Sequence, residues 1–203
     1  DAPGTGKTVT VMALAERTGA KKILVFCPAV LKHQWTNEIA IFTPHRKAIV
    51  IEGNKTERSR LWQEDADYYL ANYELLLRDF DEMNVREWDY IFADEATKIS
   101  NARAKQSRAI KRLRAKRRIA MSGTPISNRA QDCWNIVDFT NPGVFGNYWA
   151  FLGRYCLKNR WGGIFAYQNM DELRTRLGRY MIRRTKSEVL PDLPEKIETD
   201  VLF

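Results

Sequence analysis

The chain has 203 residues, with 33 Lys and Arg against 25 Asp and Glu for a net charge of +8, and 44% of its residues are hydrophobic. That length suits one domain, or one domain with a small appendage, and the apolar fraction excludes wholesale disorder. No apolar run approaches the ~20 residues that span a bilayer, and Asp1-Ala2-Pro3-Gly4 does not open a secretory signal, so no membrane partner is expected.

Cys27, Cys133 and Cys156 are far apart and lack any CxxC pairing, with only two His in the chain. That argues against a disulfide scaffold or structural zinc and for an intracellular setting, in cytoplasm, nucleoid or nucleus. The positive balance suits a polyanionic partner or a solvated surface.

In chain order, Asp1-Ala2-Pro3-Gly4-Thr5-Gly6-Lys7-Thr8 comes first and runs into a helical pattern from Lys7. Gly4, Thr5, Gly6, Lys7 and Thr8 form the Gly-x-Gly-Lys-Thr end of a phosphate-binding loop. Its backbone N–H groups turn inward around phosphate oxygens, Lys7 reaches the β- and γ-phosphates, and the Thr8 hydroxyl ligates Mg²⁺. The other reading is a glycine turn before a helix. The usual pattern begins with Gly, where this chain has Asp1.

Apolar or aromatic strand candidates follow at residues 23–27, 48–51, 68–71, 90–93 and 118–121, with helical segments from near Val30, Thr56 and Ala102. Several strands are apolar without alternation, as expected of a parallel sheet covered on both faces. The βα repetition predicts a three-layer α/β domain with a mainly parallel sheet. The rhythm changes at Asn141-Pro142-Gly143. Residues 148–190 read as helices rich in aromatics, Pro191 and Pro194 break them, and residues 197–203 resume a strand. The predicted units are an ATP-binding lobe at 1–140, a helical appendage at 141–190 and a returning strand within 191–203. With no strand before the loop, the chain is expected to be a fragment cut at both ends.

The strand at 90–93 runs into Asp94-Glu95-Ala96-Thr97. Two carboxylates are thereby delivered to the carboxyl edge of the sheet, where open α/β folds bind ligands. Asp94 is the candidate Mg²⁺ holder, through water, and Glu95 the group that polarises the attacking water. An acidic helix cap is the alternative. The next strand ends in Ser122-Gly123-Thr124-Pro125, whose hydroxyls at Ser122 and Thr124 could bond Asp94 and Glu95 and report the nucleotide state. A simple turn is the other reading. From Arg103 to Arg118 nine cations occur with no acid, which reads either as a phosphate-attracting stripe or as a solvated helix face.

The order and spacing of these motifs resemble the first motor lobe of a Snf-type (SWI/SNF-related) ATPase of helicase superfamily two. Asp1 to Thr8 resembles that family's Asp-Glu-Met-Gly-Leu-Gly-Lys-Thr, with Asp where a generic loop has Gly. Cys27-Pro28 and Gln34-Trp35 resemble its motif Ia, Asn72-Tyr73-Glu74 its motif Ib, and Asp94 to Asn101 its Asp-Glu-Ala-His segment. Met121 to Asn128, Trp134 to Gly146, Met181 to Lys186 and Leu193 to Lys196 resemble later motifs.

The resemblance implies a RecA-like P-loop fold, ATP and Mg²⁺ as cofactors, double-stranded DNA as partner, and a second RecA-like lobe outside these residues that supplies arginine fingers. Such a finger is worth ~10³–10⁵ in rate, so the isolated lobe is expected to hydrolyse ATP poorly. By resemblance, Pro28, Ala29, Lys32, Asn72 and Tyr73 meet DNA phosphates. Thr97 replaces the usual His, which places its coupling role, with Ser122, Gly123 and Thr124, in doubt. Trp35 is expected to pack its helix onto the sheet, and the aromatics at 149–167 to form the appendage core. The implied activity is ATP-driven translocation on duplex DNA. Alternatives are a strand-separating helicase, a restriction-type motor subunit, or a nucleotide-binding interaction module without turnover.

Overall fold

The computed structural model describes residues 5–123, 129–184 and 188. Gly4, Thr124 and the expected strand within 191–203 lie outside the described residues.

Helix α1 (Lys7–Arg17) buries Val11, Met12 and Ala15 on one stripe. It stops at Gly19, whose φ of 65° lets the Ala20 amide donate back to Ala15 at 3.0 Å, a closure that glycine favours. Strand β1 (Ile23–Phe26) is buried at every position. A 3-10 turn (Ala29–Leu31) leads into α2 (Lys32–Phe42), followed by β2 (Ala48–Val50). Helix α3 (Lys55–Gln63) starts at a reciprocal cap between Asn54 and Glu57. Then come β3 (Tyr68–Ala71), the short helices α4 (Leu75–Arg78) and α5 (Phe80–Asn84), and β4 (Trp88–Ala93). A 3-10 turn (Ala96–Ile99), α6 (Lys105–Arg112) and β5 (Ala115–Ala120) complete the sheet region.

The five strands are parallel, in the order β2-β3-β1-β4-β5. Strand alternation sends Leu24, Phe26, Tyr69, Ala71, Ile91 and Ala93 into one core with Trp62, Ile110 and Phe139. Ile23, Val25, Tyr68, Leu70, Tyr90 and Phe92 face the other way, onto Val11, Met12, Trp35 and Ile39 of α1 and α2. The expected three-layer α/β architecture is therefore present, and each large side chain buried in it contributes roughly 1.5–3 kcal/mol.

Helix α7 (Ala130–Thr140) serves two cores. Phe139 joins the sheet core. Ala130, Cys133, Trp134 and Val137 instead pack with Phe145, Phe151, Leu152, Tyr155, Leu173 and Leu177. The latter belong to α8 (Tyr148–Tyr155), α9 (Met170–Leu177) and the segments around them.

The helical reading of residues 148–190 needs correction. Between α8 and α9 lies an antiparallel hairpin of β6 (Cys156–Lys158) and β7 (Ile164–Tyr167). Its turn is held by Asn159 Oδ1, which accepts from the Trp161 and Gly163 amides at 3.1 and 2.9 Å, with Gly162 at φ 81°. The helical segment expected from near Ala102 runs from Lys105 to Arg112, and the strand expected at 118–121 starts earlier, at Ala115. The following basic residues instead form β5, an end strand of the sheet on which Lys116 and Arg117 stay exposed.

Candidate nucleotide site at the carboxyl edge

Strand register assembles the site. Phe26 is level with Ala71 and with Ala93, and Ala93 with Ala120. The residues that follow, Cys27, Asn72, Asp94 and Met121, therefore emerge side by side at the carboxyl edge. The acidic segment is tied to the end of β5 by backbone bonds: Ala96 N–H donates to Met121 O and Met121 N–H to Ala93 O, each at 2.8 Å.

On the same side, α1 begins at Gly6 in the left-handed region (φ 74°, ψ 29°), with no side-chain cap and no acid in its first turn. The partial positive charge of that helix end is not offset by a carboxylate of its own first turn. Lys7 lines a cavity of about 370 Å³ together with Thr10, Ala96, Met121 and Ser122. The lysine, the residue two beyond Asp94 and the start of the Ser-Gly-Thr segment thus share one space.

Asp94 is 8% exposed, and each of its polar atoms is engaged. Its N–H donates to Phe26 O at 2.7 Å. Its carbonyl accepts from the Tyr73 hydroxyl at 2.6 Å. Oδ1 accepts from the Glu95 amide at 2.9 Å, and Oδ2 from the Trp35 indole Nε1–H at 3.0 Å. Burial and the neighbouring Asp94 push the Tyr73 phenol well above its ordinary value, so it stays a donor. The same causes push the Cys27 thiol up to about 12, which makes it an inert packing residue at neutral pH.

Glu95 adopts φ 48° and ψ 53°, and among the described residues it shares positive φ with only one other non-glycine, Asn169. Left-handed backbone in a non-glycine residue costs about 1–3 kcal/mol and collects at functional positions. The bend turns the chain out of β4 and is closed by Lys98 N–H donating to Glu95 O at 3.0 Å. The Thr97 hydroxyl, half-buried, donates to the same carbonyl at 3.4 Å, a local contact within its own turn. Ser122 is buried and Gly123 half-buried at the head of the segment after β5.

Two of the expected phosphate-contacting side chains are turned inward. Lys32 is 6% exposed. Its ammonium donates to Ile51 O at 3.0 Å and lies 3.6 Å from Glu52, because at the first turn of α2 its stem reaches the end of β2 rather than solvent. Tyr73 is 2% exposed and stacks on Phe26 at 5.7 Å. Pro28 and Asn72 are half-buried and Ala29 is exposed, so these three remain accessible on the edge. Asn72 Nδ2 donates to Glu74 at 2.5 Å.

The basic stripe is largely drawn into internal ties. Lys111 binds Asn135 and Asp138, each at 2.8 Å. Lys116 binds Asp89, Arg114 donates to the Asn84 and Val85 carbonyls, and Arg117 donates to the Tyr90 hydroxyl. Burial lowers the Arg118 guanidinium's affinity for its proton, and its Nη2 donates to Leu113 O.

The roles of Trp35 and Tyr73 as holders of Asp94 were not expected from sequence. Trp35 lies 59 residues from Asp94, and an indole partner for a carboxylate leaves no spacing signal.

A family profile described as the SNF2-related domain matches residues 1–202. The chain is 30% identical to the TATA-binding protein-associated factor mot1 of Schizosaccharomyces pombe, over 98% of this chain and 12% of that protein. It is 31% identical to the uncharacterized ATP-dependent helicase MG018 of Mycoplasma genitalium, over 99% of this chain and 20% of that protein. The fold superposes with a TM-score of 0.81 and 37% identity on the Sulfolobus solfataricus SWI2/SNF2 ATPase core in complex with dsDNA, covering 98% of this chain and 42% of that one. The chain thus spans a minor part of these relatives. A profile match along nearly its whole length and a sheet whose edge carries the acidic pair agree that the chain belongs to the SNF2-related domain family.

Proposed function

We propose that this chain is the first motor lobe of an ATP-driven translocase on double-stranded DNA. The observation that carries the reading is that Lys7, at the start of α1, shares one cavity with Ala96 and Ser122, beside the sheet edge where Asp94 and Glu95 follow β4. Gly4, Thr5, Gly6, Lys7 and Thr8 would hold the phosphates, and Thr8 and Asp94 would hold Mg²⁺. The donor set fits: an uncapped helix end without a first-turn acid suits an anion, and a buried carboxylate with neutral partners suits a cation. Bound there, the ion would offset the negative charge of the phosphates.

The chain's own residues supply the rest. Lys7 orients the terminal phosphates, and Glu95 takes the proton of the attacking water. Ser122 lines the same space and would sense the phosphate together with Gly123 and Thr124, with Thr97 supporting the bend rather than relaying charge. Pro28, Ala29 and Asn72 offer backbone N–H groups and a small polar side chain to DNA phosphates. The complex of the similar Sulfolobus core with dsDNA supports a duplex substrate. A second RecA-like lobe would close the nucleotide between the two halves. Three cysteines that are buried and unpaired support a reducing, intracellular setting, and no helix among the described residues is long and apolar enough to cross a membrane.

The test is ATP hydrolysis by the full-length protein with and without duplex DNA. Stimulation by duplex is expected, with Glu95→Gln sparing nucleotide binding and abolishing turnover. A rate indifferent to DNA would remove the translocase reading, and an unchanged rate in Glu95→Gln would remove the assignment of the base.

A further inference from the structure

Asp94 is gripped from both helical layers at once, at its carboxylate from one and at its backbone carbonyl from the other. Trp35 reaches it from α2, on the face shared with α1, and Tyr73 reaches its carbonyl from the opposite face, beside Phe26. Both side chains are almost fully buried, at 2% exposure each, and neither can swing away without opening a core. A carboxylate at the end of a strand ordinarily rotates about two torsions. Here Oδ2 is pinned by an indole N–H at 3.0 Å and Oδ1 by the next amide at 2.9 Å. Each oxygen keeps a second lone pair, so the grip fixes orientation without filling the acceptor.

We propose that Trp35 is a positioning residue for the divalent cation. Its N–H holds the Asp94 carboxylate in the one orientation that presents the remaining lone pairs to the ion, and Tyr73 fixes the backbone from which that carboxylate hangs. The proposal rests on the reading of Asp94 as the cation holder. Partners that orient a metal-binding group commonly change metal affinity 10–100-fold when removed. Because α2 is entered directly from the Pro28–Ala29 edge, the same indole also joins that edge to the carboxylate through a single helical turn.

The experiment titrates Mg²⁺ against binding of a non-hydrolysable ATP analogue by the full-length protein, read by calorimetry. Trp35→Phe removes the donor and keeps an aromatic ring. Replacing Trp35 with 3-benzothienylalanine keeps the bicyclic shape and substitutes sulfur for N–H, so the fold is preserved if the phenylalanine variant unfolds. Both should raise the Mg²⁺ needed for half-maximal binding by about tenfold or more and leave nucleotide affinity without Mg²⁺ unchanged. Tyr73→Phe should shift it less, since the carboxylate keeps its own two donors. An unchanged Mg²⁺ requirement in the benzothienyl protein overturns the proposal when Asp94→Asn shifts it strongly. If Asp94→Asn itself leaves the requirement unchanged, the reading of Asp94 as cation holder fails and takes the proposal with it.

Discussion

Asp79 and Asp94 are both buried aspartates that accept an indole N–H, from Trp62 at 3.1 Å and from Trp35 at 3.0 Å. They differ in what balances their charge. Asp79, after α4, receives both arms of the Arg58 guanidinium at 2.7 and 2.8 Å, and both residues are under a tenth exposed. Among the described residues, no ion pair is made to Asp94; its donors are an indole and an amide. A buried carboxylate with its own arginine is committed to holding α3 against α5. One held only by neutral donors keeps its charge for something that arrives from outside. On the role proposed for Asp94, the same chemical group serves architecture on one face and ligand capture at the edge, and the cation supplied by the chain decides which.

Substitution at Asp79 should break that contrast most visibly. Asp79→Asn leaves Arg58 buried and uncompensated and should cost about 3–5 kcal/mol in urea unfolding, without changing the Mg²⁺ dependence of nucleotide binding. The pH response follows from the same pair. Burial opposes ionisation of Asp79, but the bonds from Arg58 and Trp62 outweigh it and hold its carboxyl below the ordinary value. The pair's stabilisation is therefore complete above the unfolded value, near ~3.9, and is lost as pH falls through the lower folded value. Acid unfolding of Asp79→Asn should lack this slope.

Tyr73→Phe should come next, at about 1–3 kcal/mol, since it strips the hydroxyl from a buried carbonyl. Asp94→Asn sharpens the comparison from the other side. Asparagine can accept only one of the two bonds that Asp94 accepts, so stability should fall by about 1–3 kcal/mol, while Mg²⁺-dependent nucleotide binding is lost. Arg154→Ala, which breaks an exposed pair with Glu172 on the appendage, should leave the unfolding midpoint within the scatter of the measurement.

What could be read in the sequence was what repeats locally. Strand β3 falls where its Tyr-Tyr-Leu-Ala run places it, and α1 begins at the lysine of the glycine-rich loop. Strand β4 starts two residues earlier than expected, at Trp88, because Asp89 interrupts the apolar run. That carboxylate accepts from the Lys21 and Lys22 amides, a partner no local pattern reveals. The hairpin in the appendage was hidden for the opposite reason. Aromatics suit buried helices as well as strands, and the Gly162-Gly163 pair that marks the turn was the available signal. Lys32 and Tyr73 show where motif reasoning stops. Their residue types fit a phosphate-facing edge, but which way each side chain points depends on cavities built by distant segments.

The left-handed bend at Glu95 carries one more consequence. Glycine or asparagine would occupy that backbone conformation with less strain, so on the role proposed for Glu95 a glutamate is expected there only while its carboxylate is needed. Copies of this fold that have ceased to spend nucleotide are free to relax at this single position. The residue at the bend then serves as a marker, readable from a genome alone, of whether a given lobe still belongs to a working motor or has become a scaffold.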